Sequence, residues 1–213
     1  MIIKRTLRLS LSASVLLAAL LILVMPPAMA APKPILVMGD SISAAYGMSL
    51  EQGWVALLAK ELDKTHPGTP VINASISGES TVGALQRLPP LLDQHQPGIV
   101  IIELGGNDGL RGYPLIQLRS NLLEMTKLAQ ASGAQVIIVP MEIPPNYGNR
   151  YTEGFRESYR IVASNTDSTL ATFLLEGVAT DPQLMQADGI HPKVEAQHIL
   201  MSNFMPSIKE LLP

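Results

Sequence analysis

Four short runs of consecutive apolar residues recur along the chain. They cover residues 34–38 (PILVM), 71–74 (VINA), 99–104 (IVIIEL) and 135–140 (QVIIVP), and a weaker run covers 170–175 (LATFLL). Strands that face water on one side alternate apolar and polar residues, whereas continuous runs are typical of parallel strands covered by helices on both faces. The pattern therefore predicts five buried, mainly parallel strands.

Segments with helical periodicity lie between these runs. In the clearest, residues 115–132, apolar residues recur at steps of four, three and four, and Gly133 stands where a left-handed C-terminal cap is expected. Further helices are predicted at 53–63, 81–94, 150–165 and 193–212, the last kinked or divided at Pro206. Alternating strands and helices predict an α/β fold, a three-layer α/β/α sandwich around a five-stranded, mainly parallel sheet.

The amino terminus has the pattern of a secretory signal. Lys4, Arg5 and Arg8 precede an apolar stretch that contains three serines and ends in a small-residue site at residues 28–30. We interpret residues 1–30 as a signal peptide and residues 31–213 as one domain, with an uncleaved membrane anchor as the alternative. The pattern predicts an exported protein with no stable membrane span after cleavage.

Charge and composition narrow the function classes. Residues 31–213 carry 12 Lys and Arg against 18 Asp and Glu, a formal charge of −6, without a basic run. Nucleic acid is therefore not expected as a partner, because phosphate contacts need clustered positive charge. The sequence has no cysteine, which excludes a disulfide scaffold, a cysteine nucleophile and a cysteine-ligated metal. Histidines and carboxylates lack the short spacing of metal ligands, so no metal is expected.

Small polar residues and glycines follow the first three apolar runs. Residues 39–41 (GDS) follow the first run, residues 75–78 (SISG) the second and residues 105–108 (GGND) the third. Ligands of parallel sheets bind beyond the carboxyl ends of the strands, so we expect the three loops to face one crevice. Taken alone, Ser41 also suits the N-cap of a helix, and Asn107 suits a turn.

A fourth segment favours a catalytic interpretation of Ser41. Residues 187–193 (ADGIHPK) place Asp188 three residues before His191. A serine hydroxyl becomes a good nucleophile when a neutral imidazole takes its proton and a carboxylate orients that imidazole. Ser41, His191 and Asp188 supply these three roles. The serine stands in GDSIS rather than in the G-x-S-x-G elbow of α/β-hydrolases, which disfavours that fold.

Four sequence blocks, GDSIS, Gly78 in SISGES, GGND and DGIHP, occur in the order of the marker motifs of SGNH hydrolases, also called GDSL esterases. The sequence resembles this family over nearly all of residues 34–212. It looks most like a branch of periplasmic multifunctional acyl-CoA thioesterases, arylesterases and lysophospholipases of Gram-negative bacteria. The resemblance implies a flavodoxin-like SGNH hydrolase fold, a periplasmic location and no cofactor, with secretion to the medium as the alternative location.

The resemblance also assigns the site residues. Ser41 would be the nucleophile, His191 the general base and Asp188 the carboxylate that orients it. The oxyanion hole would consist of the backbone N–H groups of Ser41 and Gly78 and the side-chain amide of Asn107.

Two further carboxylates near the site, Asp40 and Asp108, are expected to be structural. Asp40 would accept hydrogen bonds from neighbouring N–H groups, and Asp108 would cap the next helix. They are therefore not expected to form a catalytic pair.

The expected partners are small-molecule acyl esters, acyl thioesters or lysophospholipids, as the family branch implies, and a monomer is expected. Apolar surface for an acyl chain is predicted in loops 75–83, 109–114 and 141–148. The candidate contact residues there are Ile76, Leu110, Tyr113, Pro144 and Tyr147. Two alternatives stay open: a carbohydrate O-acetyl esterase of the same superfamily, and a non-catalytic secreted binding module.

Overall fold

The structure is a computed structural model, and it describes residues 32–212. The predicted signal peptide, residues 1–30, lies outside the described residues. None of the helices within residues 32–212 is both long and apolar enough to cross a membrane.

Five strands and six α-helices alternate along the described chain. In chain order they are β1 (Ile35–Gly39), α1 (Trp54–Thr65), β2 (Val71–Asn73), α2 (Thr81–His95), β3 (Ile99–Glu103), α3 (Gly106–Leu110), α4 (Leu115–Ala131), β4 (Gln135–Ile138), α5 (Asn149–Thr166), β5 (Thr169–Leu170) and α6 (Gln197–Lys209). Single turns of 3₁₀-helix cover Leu50–Gln52, Pro145–Tyr147 and Val194–Ala196.

The strands form one parallel sheet in the order β2-β1-β3-β4-β5. Ile35 pairs with Val71 on one side and with Ile99 on the other, so β1 is a central strand. Helices α1 and α6 pack together, and α4 packs against both α2 and α5, which gives a helical layer on each face of the sheet. This is the predicted three-layer α/β/α sandwich.

The core consists of the strand residues and the apolar stripes of the long helices. All five residues of β1 and all five of β3 are buried, as expected for strands that helices cover on both faces. On α4 the buried apolar residues are the stripe at 118, 122, 125 and 129 that the sequence predicts. Gly133, which follows this helix, has a φ of 87°, which confirms the left-handed cap.

Two of the predicted elements differ from the structure. The fifth strand contains only residues 169–170, not 170–175, although Ala171, Leu174 and Leu175 are buried. The apolar run therefore marks contact with the core rather than strand pairing. The last helix is not divided at Pro206, because α6 continues through it to Lys209.

The strand order has its switch point between β1 and β3, since the chain leaves β1 toward β2 and returns to the other side of β1. Such a point opens a crevice at the carboxyl ends of the two strands. The predicted nucleophile follows β1, and GGND follows β3. The fold thus places both motifs at one edge of the sheet.

Candidate active site

Ser41 lies two residues beyond the end of β1, in a tight turn. The backbone N–H of Ile42 donates to the Asp40 carboxylate at 3.1 Å, and the N–H of Ala44 donates to the Asp40 carbonyl at 2.9 Å. Residues 41–47 form turns, and the next α-helix starts only at Trp54, so Ser41 does not cap an α-helix. The Ser41 residue is 9% exposed, so it is almost fully buried at this edge of the sheet.

His191 is held by the loop that also carries Asp188. Asp188 Oδ1 accepts hydrogen bonds from the backbone N–H groups of Ile190 and His191, at 2.9 and 3.0 Å. Asp188 Oδ2 lies 2.7 Å from His191 Nδ1. The tight loop requires a φ of 68° at Gly189, which explains a glycine between the two residues.

Ser41, His191 and Asp188 form a continuous chain of hydrogen bonds, since His191 Nε2 lies 2.8 Å from Ser41 Oγ. Burial raises the pKa of the Asp188 carboxyl, but hydrogen bonds from His191 and Ile190 outweigh it and lower this pKa to about 2. An ionised carboxylate only accepts hydrogen bonds, so His191 Nδ1 carries a proton. With the proton on Nδ1, the other ring nitrogen, Nε2, is the one that can accept from the Ser41 hydroxyl.

The Asn107 side chain is joined to the turn that carries Ser41 through Asp40. Asn107 belongs to the short helix α3, directly after β3, and its Nδ2 donates to Asp40 Oδ2 at 3.2 Å. An amide nitrogen has two hydrogens, so one remains to donate to another acceptor. The structure therefore places an amide donor beside the turn of Ser41.

Gly78 lies in the loop after β2, which is joined to the same edge of the sheet. The N–H of Ile76 donates to the carbonyl of Gly39 at 3.1 Å, and an Arg111 guanidinium donates to the carbonyl of Gly78 at 3.2 Å. Gly78 has a φ of 79°, a conformation that favours glycine. The loops after β1, β2 and β3 thus meet at one edge.

The sequence matches the GDSL-like lipase/acylhydrolase family over residues 37–199. The chain belongs to this family.

Relatives and solved structures agree with this assignment. The chain is 49% identical over 199 residues to esterase TesA of Pseudomonas aeruginosa, an alignment that covers 93% of this chain and 99% of the relative. It is 45% identical over 168 residues to thioesterase 1/protease 1/lysophospholipase L1 of Escherichia coli K12, with 79% of each chain covered. A crystal structure of TesA matches with a TM-score of 0.82 at 50% identity, covering 84% of this chain and 100% of that chain.

In this GDSL-family chain Asp108 caps a different helix from the one expected. Its two carboxylate oxygens accept from the backbone N–H and the hydroxyl of Thr81, the first residue of α2. Helix α2 precedes Asp108 in the chain, so the prediction that Asp108 caps the next helix is wrong. The reason is topological, because α2 and the loop after β3 start at the same edge of the sheet.

Glu103 is a buried carboxyl group beside the turn of Ser41, and sequence reasoning missed it. Its Oε2 accepts from the Ser43 hydroxyl at 2.6 Å and from the N–H of Asp40 at 3.4 Å. Trp54 Nε1 donates in turn to Ser43 Oγ at 3.2 Å. Glu103 Oε1 has no hydrogen-bond partner among the described residues. Burial, and then the charge of Asp40, raise the pKa of Glu103 well above its usual range. The signal in the sequence was a single acidic residue within an otherwise apolar strand.

Tyr46 is a second residue that sequence reasoning did not select. Its ring centroid lies 4.3 Å from that of His191, with a tilt of 34° between the planes, and the residue is 49% exposed. One face of the imidazole is therefore covered by an aromatic ring that also contacts solvent.

The residues predicted for acyl-chain contact lie in exposed loops, with one exception. Ile76, Tyr113, Pro144 and Tyr147 are exposed, whereas Leu110 is half-buried against the core. The Tyr147 hydroxyl donates to the Leu110 carbonyl at 2.7 Å, which joins the loop after α3 to the loop after β4. Two of the three predicted loops are therefore in direct contact.

Proposed function

We propose that the protein is a serine hydrolase that cleaves fatty acyl esters, acyl thioesters and lysophospholipids. The observation that carries the proposal is the chain of hydrogen bonds from Ser41 through His191 to Asp188, with lengths of 2.8 and 2.7 Å. Two relatives are named as an esterase and as a thioesterase and lysophospholipase. The reaction class is therefore hydrolysis of carboxylic esters and thioesters.

In the first step Ser41 Oγ attacks the carbonyl carbon of the substrate while its proton moves to His191 Nε2. The carbonyl oxygen takes the electron pair and becomes an oxyanion. His191 then gives the proton to the leaving alkoxide or thiolate as the ester or thioester bond breaks, which leaves an acyl group on Ser41. Asp188 stays ionised and stabilises the imidazolium that forms between the two transfers.

In the second step a water molecule takes the place of the leaving group. His191 removes its proton as the water oxygen attacks the acyl carbon, and Ser41 Oγ recovers that proton when the acyl–oxygen bond breaks. The product is a free carboxylic acid. Both steps pass through a tetrahedral oxyanion, so one set of donors serves the whole cycle.

The donors of this oxyanion hole would be the backbone N–H groups of Ser41 and Gly78 and the side-chain amide of Asn107. The Asp40 contact supports the role of Asn107, because it uses one amide hydrogen and fixes the direction of the other. The contact between the Gly78 loop and the end of β1 supports the role of Gly78.

The acyl chain would lie on the apolar side chains of the exposed loops, Ile76, Leu110, Tyr113, Pro144 and Tyr147. Exposed aromatic and aliphatic groups beside a polar centre are typical of sites that bind an apolar group by burial and a reacting group by hydrogen bonds. This supports fatty acyl groups over the acetyl groups of carbohydrate esters.

The test is hydrolysis by residues 31–213 of p-nitrophenyl esters and acyl-CoA thioesters with acetyl, octanoyl and palmitoyl groups, and of a lysophospholipid. We expect kcat/KM to rise from acetyl to the longer chains and to fall to background in Ser41→Ala. Ser120→Ala, which removes an exposed serine on α4, is the matched control and should retain full activity. Hydrolysis of acetyl esters alone would favour the carbohydrate esterase. Full activity in Ser41→Ala would contradict the triad, and a wild-type protein that a fluorophosphonate does not label would favour the binding module.

We also propose that residues 1–30 direct export to the periplasm and are removed, and that residues 31–213 act as a monomeric hydrolase domain. The charged, apolar and small-residue segments of the amino terminus support the first proposal. One chain supplies Ser41, His191 and Asp188 together, which supports a monomeric hydrolase domain. The amino-terminal sequence of the protein from a periplasmic fraction, and its mass in solution, test the two proposals separately.

A further inference from the structure

Ser41 and the pair formed by Asp188 and His191 lie on two loops that are distant in the chain. Ser41 belongs to the turn after β1, which we call the nucleophile turn (residues 40–47), and His191 belongs to the histidine loop (residues 184–193). A side chain joins the backbones of these two segments. Gln186 Nε2 donates to the carbonyl of Tyr46 at 2.9 Å and to the carbonyl of Pro192 at 3.1 Å.

Gln186 also holds the histidine loop through its backbone. Its N–H donates to the carbonyl of His191 at 2.8 Å, and its carbonyl accepts from the N–H of Gly189 at 3.0 Å. Beyond it, the N–H of Lys193 donates to the carbonyl of Leu184 at 2.7 Å. The loop is therefore closed around His191, and the Gln186 side chain is its link to the nucleophile turn.

The nucleophile turn is shaped to receive this amide. Gly47 has a φ of 80°, and a Cβ on it would lie 2.7 Å from Gln186 Oε1 and 2.9 Å from Nε2. The amide therefore lies directly against the Gly47 backbone. The carbonyl that it binds belongs to Tyr46, whose ring packs on His191. The hydrogen bond to this carbonyl therefore holds the backbone that carries the ring on His191.

We propose that Gln186 is a positioning residue that holds His191 Nε2 at hydrogen-bond distance from Ser41 Oγ by joining the two loops. The inference rests on the proposed function, since it needs Ser41 as nucleophile and His191 as base. Its physical basis is the steep dependence of proton transfer on geometry, where a displacement of about 1 Å lowers the rate by about 10²-fold.

Gln186→Glu and Gln186→Met test this role. Glu has nearly the same shape, but its carboxylate places a second acceptor against two carbonyl oxygens. Met keeps the volume and removes both donors. We expect both variants to lower kcat for p-nitrophenyl octanoate by about 10- to 100-fold, with KM within about twofold of wild type. The rate of Ser41 labelling by a fluorophosphonate should fall by the same factor, because it depends on the same Ser41–His191 pair.

Gln183→Glu and Gln183→Met are the matched controls, since Gln183 lies three residues earlier in an exposed position. They should retain the wild-type kcat and labelling rate. Circular dichroism and thermal unfolding of every variant show whether it is folded under assay conditions.

Three results would overturn the inference: wild-type kcat in both Gln186 variants, a raised KM at unchanged kcat, or a loss of activity that only follows the unfolded fraction. Failure of the proposed function gives a different result, because Ser41→Ala would then keep the wild-type activity whatever the Gln186 variants do.

Discussion

The buried Asp40 carboxyl makes stability fall as pH rises, and Asp40→Asn should remove that dependence. Asp40 is 2% exposed, and burial raises the pKa of its carboxyl from 3.8 to about 6. The Ile42 N–H, the charge of His191 and the Asn107 amide act in the opposite direction and are outweighed. The negative charge of Asp108 adds to the effect of burial.

The sign follows from the binding of one proton. Between pH 3.8 and about 6 the folded protein keeps this proton while the unfolded chain has lost it. Proton binding therefore stabilises the folded state most at low pH. This stabilisation is lost as the pH rises to about 6, and above that pH the Asp40 proton no longer affects the free energy of unfolding. One pKa unit corresponds to about 1.4 kcal/mol, so the loss is roughly 3 kcal/mol.

The assay is urea unfolding of wild type and Asp40→Asn at a series of pH values from about 4 to about 8. At any one pH, the difference in the free energy of unfolding between the two proteins includes the altered contacts with Asn107 and Ile42. The test therefore uses only the change of this difference with pH. The free energy of unfolding of the variant, relative to wild type, should increase by roughly 2 to 3 kcal/mol across this range. Asp63→Asn, on an exposed position of α1, controls for the exchange of Asp for Asn.

The titration of Glu103 depends on Asp40, because the negative charge of Asp40 raises the pKa of the Glu103 carboxyl. Glu103→Gln, added to Asp40→Asn, removes the second buried carboxyl. The change that it makes in the pH dependence of the free energy of unfolding is the contribution of Glu103. If the difference in the free energy of unfolding between wild type and Asp40→Asn does not change with pH, the reasoning is refuted. Asp40 would then have the same pKa in the folded and unfolded states.

Two further variants test the site. Asn107→Ala should lower kcat by about 10²- to 10³-fold with little change in KM, because it removes a donor to the oxyanion; an unchanged kcat would exclude Asn107 from the oxyanion hole. Asp188→Asn should lower kcat by about 10⁴-fold, because an amide at this position favours the tautomer in which Nε2 carries the proton. A loss of less than about tenfold would show that Asp188 does not orient His191.

The fold was largely predictable because its strands are covered on both faces. The apolar runs around β1, β3 and β4 are continuous, and their limits agree with the structure within one or two residues. The strand predicted over 170–175 is wrong beyond Leu170, because burial and strand pairing produce the same apolar pattern. Leu174 is buried by packing alone.

The candidate site could be predicted only where short sequence motifs contain its residues. Asp188 and His191 are three residues apart, so their contact is local. Ser41 is the serine of the GDSIS motif. Gln186 and Glu103 were not predictable in this way, because their partners lie 140 and 60 residues away. The contacts of this loop glutamine and this strand glutamate form only when the fold brings their partners close, so they leave no local pattern in the sequence.

The packing of α6 against α1 has a consequence for how this protein refolds. Helix α6 contacts α1, and Gln197 at its start accepts the N–H of Trp54 at 2.9 Å across 143 positions of sequence. Trp54 is the only tryptophan in the chain, it is fully buried, and its ring lies 5.1 Å from that of Phe204 on α6. Contacts of such high sequence separation form slowly, because a long loop must close first. Intrinsic fluorescence therefore reports when α6 docks, and since His191 precedes α6 by a few residues, activity should return in the same kinetic phase.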